Sequence, residues 1–205
     1  MRDMQASGII TITTDFGHKG PFAAIMKGVI LDRFPAAKIV DLVHDIPAQW
    51  PPEAGFWVRR SYRYFPPGTV HVAIVDPGVG TERDILVVEY DHHYFMAPDN
   101  GLLGRMLDHA EGALIFKLDF SALERLSIPT PSNTFHGRDV FAPIAAELAA
   151  GKTTPVSIGV PADSWIPAWV DEPDVRADVV TGSVMTVDGF GNLISNIDAE
   201  LIAAF

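Results

Sequence analysis

The 205-residue chain has no cysteine. That excludes disulfides, thiolate zinc sites and a cysteine nucleophile. Basic residues are also scarce: 15 Lys and Arg stand against 26 Asp and Glu, a formal net charge of −11. A nucleic-acid backbone needs clustered Lys and Arg, so the balance argues against such a partner. A cationic small molecule suits an acidic protein better. No apolar run reaches the ~20 residues of a membrane span, and residues 1–8 lack the apolar stretch of a signal peptide. The expectation is a soluble cytoplasmic protein. What is present is 48% hydrophobic residues, enough for one good core or for one domain with a small appendage.

Taken in order, the chain alternates strand and helix signals. The β-branched run 9–14 reads as a strand and ends in Asp15-Phe16-Gly17. Helical spacing starts near Pro21 and puts Phe22, Ile25, Met26, Val29 and Ile30 on one face. A second strand over 38–43 leads into a Pro-rich loop that carries Trp50, followed by a helix over 53–64. The apolar run 69–75 is a third, buried strand. Residues 85–90 and 94–96 form a hairpin turning at Asp91-His92-His93, where the two histidines are expected to be solvated because no third metal ligand lies nearby. A short helix over 102–109 and a strand over 113–118 follow. Asp139 is expected to cap a helix through 144–149 that Gly151 closes. This pattern predicts an α/β domain over residues 1–152, with a mostly parallel central sheet flanked by helices. Residues 153–177 lose all helical period and read as a linker. Residues 178–205 are strand-rich but too short to close a sheet alone.

Chemistry-bearing residues gather in loops. Asp15 stands where a strand ends and a helix is about to begin, the edge of an open α/β sheet where ligands bind. It is placed either to accept hydrogen bonds from a ribose diol or to serve as a helix-capping residue. Trp50 is a core plug or a lid over a flat or sulfur-bearing ligand. Asp76-Pro77-Gly78-Val79-Gly80-Thr81-Glu82-Arg83 puts a carboxylate and a guanidinium on one tight loop at a strand end. His136 precedes a helix N-terminus, whose positive potential lowers a histidine's pKa and keeps it neutral. Asp188 and Asn192 flank the turn at Gly189-Phe190-Gly191.

Five motifs in sequence order resemble the S-adenosyl-L-methionine (SAM) hydroxide adenosyltransferase family, the SAM hydrolases, which are related to fluorinase and chlorinase enzymes. They are Thr14-Asp15-Phe16-Gly17, the Asp76 to Arg83 loop, Ala97-Pro98-Asp99-Asn100-Gly101, Phe135-His136-Gly137-Arg138-Asp139-Val140-Phe141-Ala142-Pro143, and Asp188-Gly189-Phe190-Gly191-Asn192. The resemblance implies attack of water or hydroxide on C5′ of SAM, giving adenosine and L-methionine, with SAM as substrate and neither cofactor nor metal. It makes Asp76, Arg83 and His136 the triad that binds and activates the water. It assigns Asp15 to the ribose hydroxyls, Trp50 to the methionine side and Asp188 to the methionine ammonium. Phe190 and Asn192 would line the adenine end, and Phe135 and Gly137 are further substrate-binding positions. A sulfonium leaves without acid catalysis, so the site needs a positioned water and a base; Asp76 and neutral His136 are both able to be that base.

The halogenating relatives carry tyrosine where Asp76 stands, and the fluorinase carries serine where Gly137 stands. A fixed carboxylate repels a halide, which favours water. The implied fold is an N-terminal α/β domain and a C-terminal β-barrel-like domain, in homotrimers with sites between one subunit's N-terminal domain and the next subunit's C-terminal domain. Family members continue well past the Phe190-Gly191-Asn192 turn, whereas this chain ends thirteen residues after Asn192. The C-terminal domain is therefore expected to be cut short and the adenine pocket incomplete. A non-catalytic adenosine or SAM binding module and a SAM-dependent halogenase are the alternative readings.

Overall fold

The first strand, β1 (Ile9–Thr14), is β-branched throughout and buried at all but its first residue. The computed structural model describes residues 4–205. After β1 come α1 (Phe22–Arg33), β2 (Lys38–Val43) and α2 (Pro51–Ser61), which tightens into a 3₁₀ turn at Tyr62–Tyr64. Then follow β3 (Val70–Ile74), β4 (Ile85–Tyr90), β5 (His93–Pro98), α3 (Gly104–Leu107), β6 (Leu114–Leu118) and α4 (Ser121–Arg125). A π-helical turn, Gly137–Phe141, runs directly into α5 (Ala142–Ala149), and α6 (Pro155–Ile158) and β7 (Gly159–Pro161) complete the main unit.

One seven-stranded sheet, in the order β2-β1-β3-β5-β4-β6-β7, organises these elements. β2, β1, β3 and β5 pair in parallel. β4 is antiparallel to both β5 and β6, and β7 is antiparallel to β6, so five of the seven strands point one way. Helices cover both faces, which is why every residue of β3 is buried. Val70, Val72 and Ile74 enter the core beneath α1 and α5, while Ala73 and Val75 enter the one beneath α2 and α3. Pro51 at the first turn of α2 has no N–H to leave unpaired. Gly151, at φ +67°, ends the α5 segment as expected.

Four details depart from the sequence expectations. Only Met26 and Ile30 of the α1 face are fully buried; Phe22 turns away to pack edge-on against Phe16 and Phe135. His93 is not a solvated turn residue. Asp91 and His92 both take positive φ, so the turn closes one residue early and His93 begins β5, buried beside His71. Asp139 does not cap a helix: its carboxylate accepts from the Ser132 N–H and hydroxyl and from Arg138. The stretch expected to open a linker carries α6 and β7 instead, and β7 extends the central sheet.

Beyond β7 the chain forms two separate hairpins rather than a barrel. They pair β8 (Asp174–Val175) with β9 (Val180–Thr181), and β10 (Val184–Val187) with β11 (Leu193–Ser195); α7 (Ala199–Ala204) follows. The strand-rich stretch is interrupted between β9 and β10, where the Ser183 N–H turns to the Asn196 side chain. The second hairpin docks on α2, where the Thr186 hydroxyl donates to Glu53 at 2.9 Å. No helix among the described residues is long and apolar enough to cross a membrane.

Candidate active site

The chain leaves β1 through α1 to reach β2 on one side, then returns through α2 to β3 on the other side of β1. The loops after β1 and β3 therefore diverge, opening a crevice at the carboxyl ends of the parallel strands. Asp15 leaves β1 into this crevice and Asp76 lies two residues past β3. The segment before the π turn brings Phe135 and His136 to the same place. Together with Phe16 and Gln49 these residues line a cleft of about 330 Å³, a size that suits a small molecule.

At the floor of the cleft the Asp76 and Arg83 side chains are only 6% and 9% exposed. Arg83 Nε donates to Asp76 Oδ1 at 3.1 Å and Oδ2 at 3.0 Å, and Nη2 donates to Oδ2 as well. The same Nη2 donates to His136 Nδ1 at 3.0 Å. A guanidinium has no acceptor, so His136 must offer a lone pair at Nδ1 and carry its proton on Nε2. Its ring also makes a backbone hydrogen bond with Ser132. Burial pushes the His136 pKa below its ordinary value and the Arg83 charge adds to this, against opposition from Asp76 and Asp139. The neutral imidazole expected from the sequence therefore has burial and Arg83 as its causes. One donor is left over: Arg83 Nη1 is buried without a hydrogen-bond partner among the described residues, a condition that calls for an acceptor.

The Asp76 to Arg83 loop reverses through two successive turns, with Val79 N–H on Asp76 O and Thr81 N–H on Gly78 O. Gly80, at φ +78°, is the residue this path requires, and a Cβ there would run into the Asn133 carbonyl. The loop thereby packs on the segment that carries His136. Asp15 Oδ2 accepts the Gln49 N–H at 3.0 Å, and Gln49 holds a positive φ of 61°. Gly137 sits against the Phe135 ring and Met26 Sδ, which a Cβ would approach to 3.0 and 3.1 Å.

Asp15, Asp76, Phe135, His136 and Gly137 thus meet in one cleft, with Arg83 bonded beneath it. The other four sequence candidates do not line it. Trp50 packs edge-to-face on Trp169 at 6.1 Å. Asp188 accepts the Phe190 and Asn192 N–H groups at 2.9 and 2.8 Å, and Asn192 Nδ2 at 2.7 Å, while Phe190 is 95% exposed. Gln49 and Thr134 line the cleft without having been singled out; neither residue type nor spacing marks them in the sequence. Among the described residues no group of three His, Asp or Glu is arranged to hold a metal ion.

Residues 10–159 match the model of the SAM hydroxide adenosyltransferase N-terminal domain. The chain is 36% identical over 197 residues to the (R)-S-adenosyl-L-methionine hydrolase of Methanocaldococcus jannaschii, covering 94% of this chain and 68% of that protein. It is 36% identical over 199 residues to the enzyme of the same name from Thermus thermophilus, covering 94% and 75%. A fluorinase of Actinoplanes sp. is more distant, 27% identical over 223 residues and covering 95% and 74%. Among solved structures, a conserved protein from Thermotoga maritima superposes with a TM-score of 0.87 at 35% identity, covering 95% of this chain and 73% of that one.

Proposed function

The chain belongs to the SAM hydroxide adenosyltransferase family, and from that premise we propose that it hydrolyses SAM to adenosine and L-methionine. The observation that carries this reading is the buried Asp76–Arg83–His136 connection at the floor of the cleft. A water oxygen attacks C5′ as the C5′–S bond breaks, and the bonding pair leaves with sulfur as a neutral thioether. The water's proton goes to the Asp76 carboxylate. His136 is the weaker candidate for that base, since Arg83 already occupies its Nδ1 lone pair. The unpartnered Arg83 Nη1 is the donor suited to hold the attacking oxygen. No cofactor enters this scheme.

Asp15 then receives the ribose hydroxyls. Phe135 and Gly137 are wall positions, and the crowding at Gly137 disfavours the serine that the fluorinase uses for halide. Trp50 is assigned to the methionine side. Asp188, Phe190 and Asn192 lie on an exposed hairpin, which supports a homotrimer in which a neighbour's hairpin completes the methionine and adenine ends. The protein is proposed to act in the cytoplasm, on a small molecule and on neither nucleic acid nor membrane.

Incubating purified protein with SAM tests the reaction. Adenosine and methionine should be released in equal amounts, and Asp76→Ala should abolish release. Adenosine no faster than background decay overturns hydrolysis and leaves a binding module; 5′-halo-5′-deoxyadenosine formed with chloride or fluoride would reveal a halogenase. The trimer is tested by mixing Asp76→Ala and Asp188→Ala chains, because a site shared between subunits regains activity on mixing.

A further inference from the structure

Behind Asp15 runs a chain of polar groups, buried at Thr14 and His44, that do not line the cleft. Thr14, directly before it, is fully buried. Its Oγ1 accepts the Phe16 N–H at 3.2 Å and hydrogen-bonds His44 Nδ1 at 2.8 Å. His44 is 4% exposed, and its backbone carbonyl accepts the Gly17 N–H at 2.8 Å. Its other ring nitrogen, Nε2, donates to Asp41 Oδ1 at 2.9 Å. Lys27 Nζ grips the second Asp41 oxygen at 2.5 Å. An unbroken line therefore runs Lys27–Asp41–His44–Thr14 from the surface to the peptide that follows Asp15.

The Asp–His–Thr order looks like a nucleophile relay, but Thr14 is closed to solvent and its oxygen already has two partners. Its effect is on geometry. Both peptide N–H groups after Asp15 are tied down, one to Thr14 and one to His44, and Gly17 at φ +63° completes the turn. From the opposite side the Gln49 N–H fixes the Asp15 carboxylate. The loop after β1 and the loop after β2 are thus locked together at the cleft mouth.

We propose that Thr14 and His44 are positioning residues for diol recognition, presetting the Asp15 turn so that its carboxylate meets the vicinal ribose hydroxyls with both oxygens aligned. The proposal rests on the reading of this cleft as a SAM site. A carboxylate that must bind two adjacent hydroxyls at once gains little from a mobile backbone, and small misplacements in such constellations are costly.

The test compares binding of adenosine with binding of 2′,3′-dideoxyadenosine, which lacks the diol, by calorimetry or ligand-observed NMR. Thr14→Val keeps the volume and removes the hydroxyl. It should weaken adenosine binding and raise KM for SAM by roughly tenfold, with kcat changed by no more than about twofold. Affinity for dideoxyadenosine should be unchanged, and Thr14→Ser should restore adenosine binding. Asp41→Asn, at the surface end of the line, should give the same selective loss at about threefold and decides the matter if Thr14→Val does not fold. An unchanged ratio of the two affinities in a folded variant, with only a lower Tm, overturns the positioning role. Wild-type protein that binds neither adenosine nor SAM overturns the SAM reading itself, a separate outcome visible before any variant is made.

Discussion

Arg83 and Asp76 are joined through both carboxylate oxygens while their side chains are almost closed to solvent. Removing one member of such a pair strands a charge. Arg83→Ala should therefore destabilise the fold by about 3–5 kcal/mol. Arg83→Lys keeps the charge but cannot reach Asp76 and His136 together, so its stability loss should be smaller while kcat falls by at least about tenfold. Urea denaturation beside steady-state kinetics checks both. A lysine variant with full kcat would show that the shared Nη2 is dispensable.

His136 gives the reaction a direction in pH. Its pKa lies below the ordinary 6.5, through burial first and the Arg83 charge second. The neutral ring is the form that accepts from Arg83, so activity should be full at neutral pH and fall only below 6.5 on the acid side. His136→Asn keeps an acceptor near the Nδ1 position without a titrating ring, and its lower activity should lack that acid limb. The check is kcat/KM from about pH 8 to about pH 5. A wild-type limb centred at or above 6.5 contradicts the assignment.

The two glycines of the Asp76 loop should behave unequally. Gly80 needs positive φ and abuts the Asn133 carbonyl, whereas a Cβ on Gly78 would make ordinary contacts with the Arg83, Thr81 and Asp76 side chains, at 3.4, 3.5 and 3.8 Å. Gly80→Ala should cost about 1–3 kcal/mol of stability and lower activity with it, since it pushes the loop off the segment carrying His136. Gly78→Ala should stay within about 1 kcal/mol of wild type. Equal effects in thermal unfolding and turnover would show that the backbone conformation at Gly80 is not what holds the loop.

Much of this site was readable in the sequence because its residues sit at strand ends, where an apolar run stops abruptly. Asp15 and Asp76 follow the runs that became β1 and β3, and a sheet with helices on both faces puts those ends together. The misreadings share a cause: the competing partner lay far away or the turn type had no residue signature. Asp91 and His92 hold positive φ without glycine, so residue type alone places the turn one residue too far and His93 in solvent. Asp139 looked like a cap, but Ser132 and Arg138 claim its carboxylate. β7 is three residues long and exposed at two of them; pairing with β6, rather than any pattern of its own, makes it a strand. The role of the buried His44 behind Asp15 had no local signal either, since Thr14 meets it only through the parallel pairing of β1 and β2.

Another buried histidine should make the stability of the fold sensitive to acid. His71 on β3 bonds Thr11 on β1 at 2.8 Å and His93 on β5 at 3.2 Å, with its ring stacked on Phe95. Burial, aided by the His93 charge, takes its pKa from 6.5 to about 3. Between those values the unfolded chain holds a proton that the folded protein does not, so stability falls as pH falls. The slope from this one group is about 1.4 kcal/mol per pH unit. It begins as pH drops through the unfolded value of 6.5 and ends near the folded value of about 3. Burial also lowers the His93 pKa, which steepens the same limb. His71→Phe suits the aromatic surroundings of Tyr62, Phe65 and Phe95 but leaves the Thr11 hydroxyl and His93 without this partner. The variant should therefore be less stable at pH 7, by about 1–3 kcal/mol, yet lose less on acidification, so that the two curves of urea midpoint against pH converge by about pH 5. Parallel curves would show that His71 releases no proton on folding, and the acid sensitivity would then have to come from other groups.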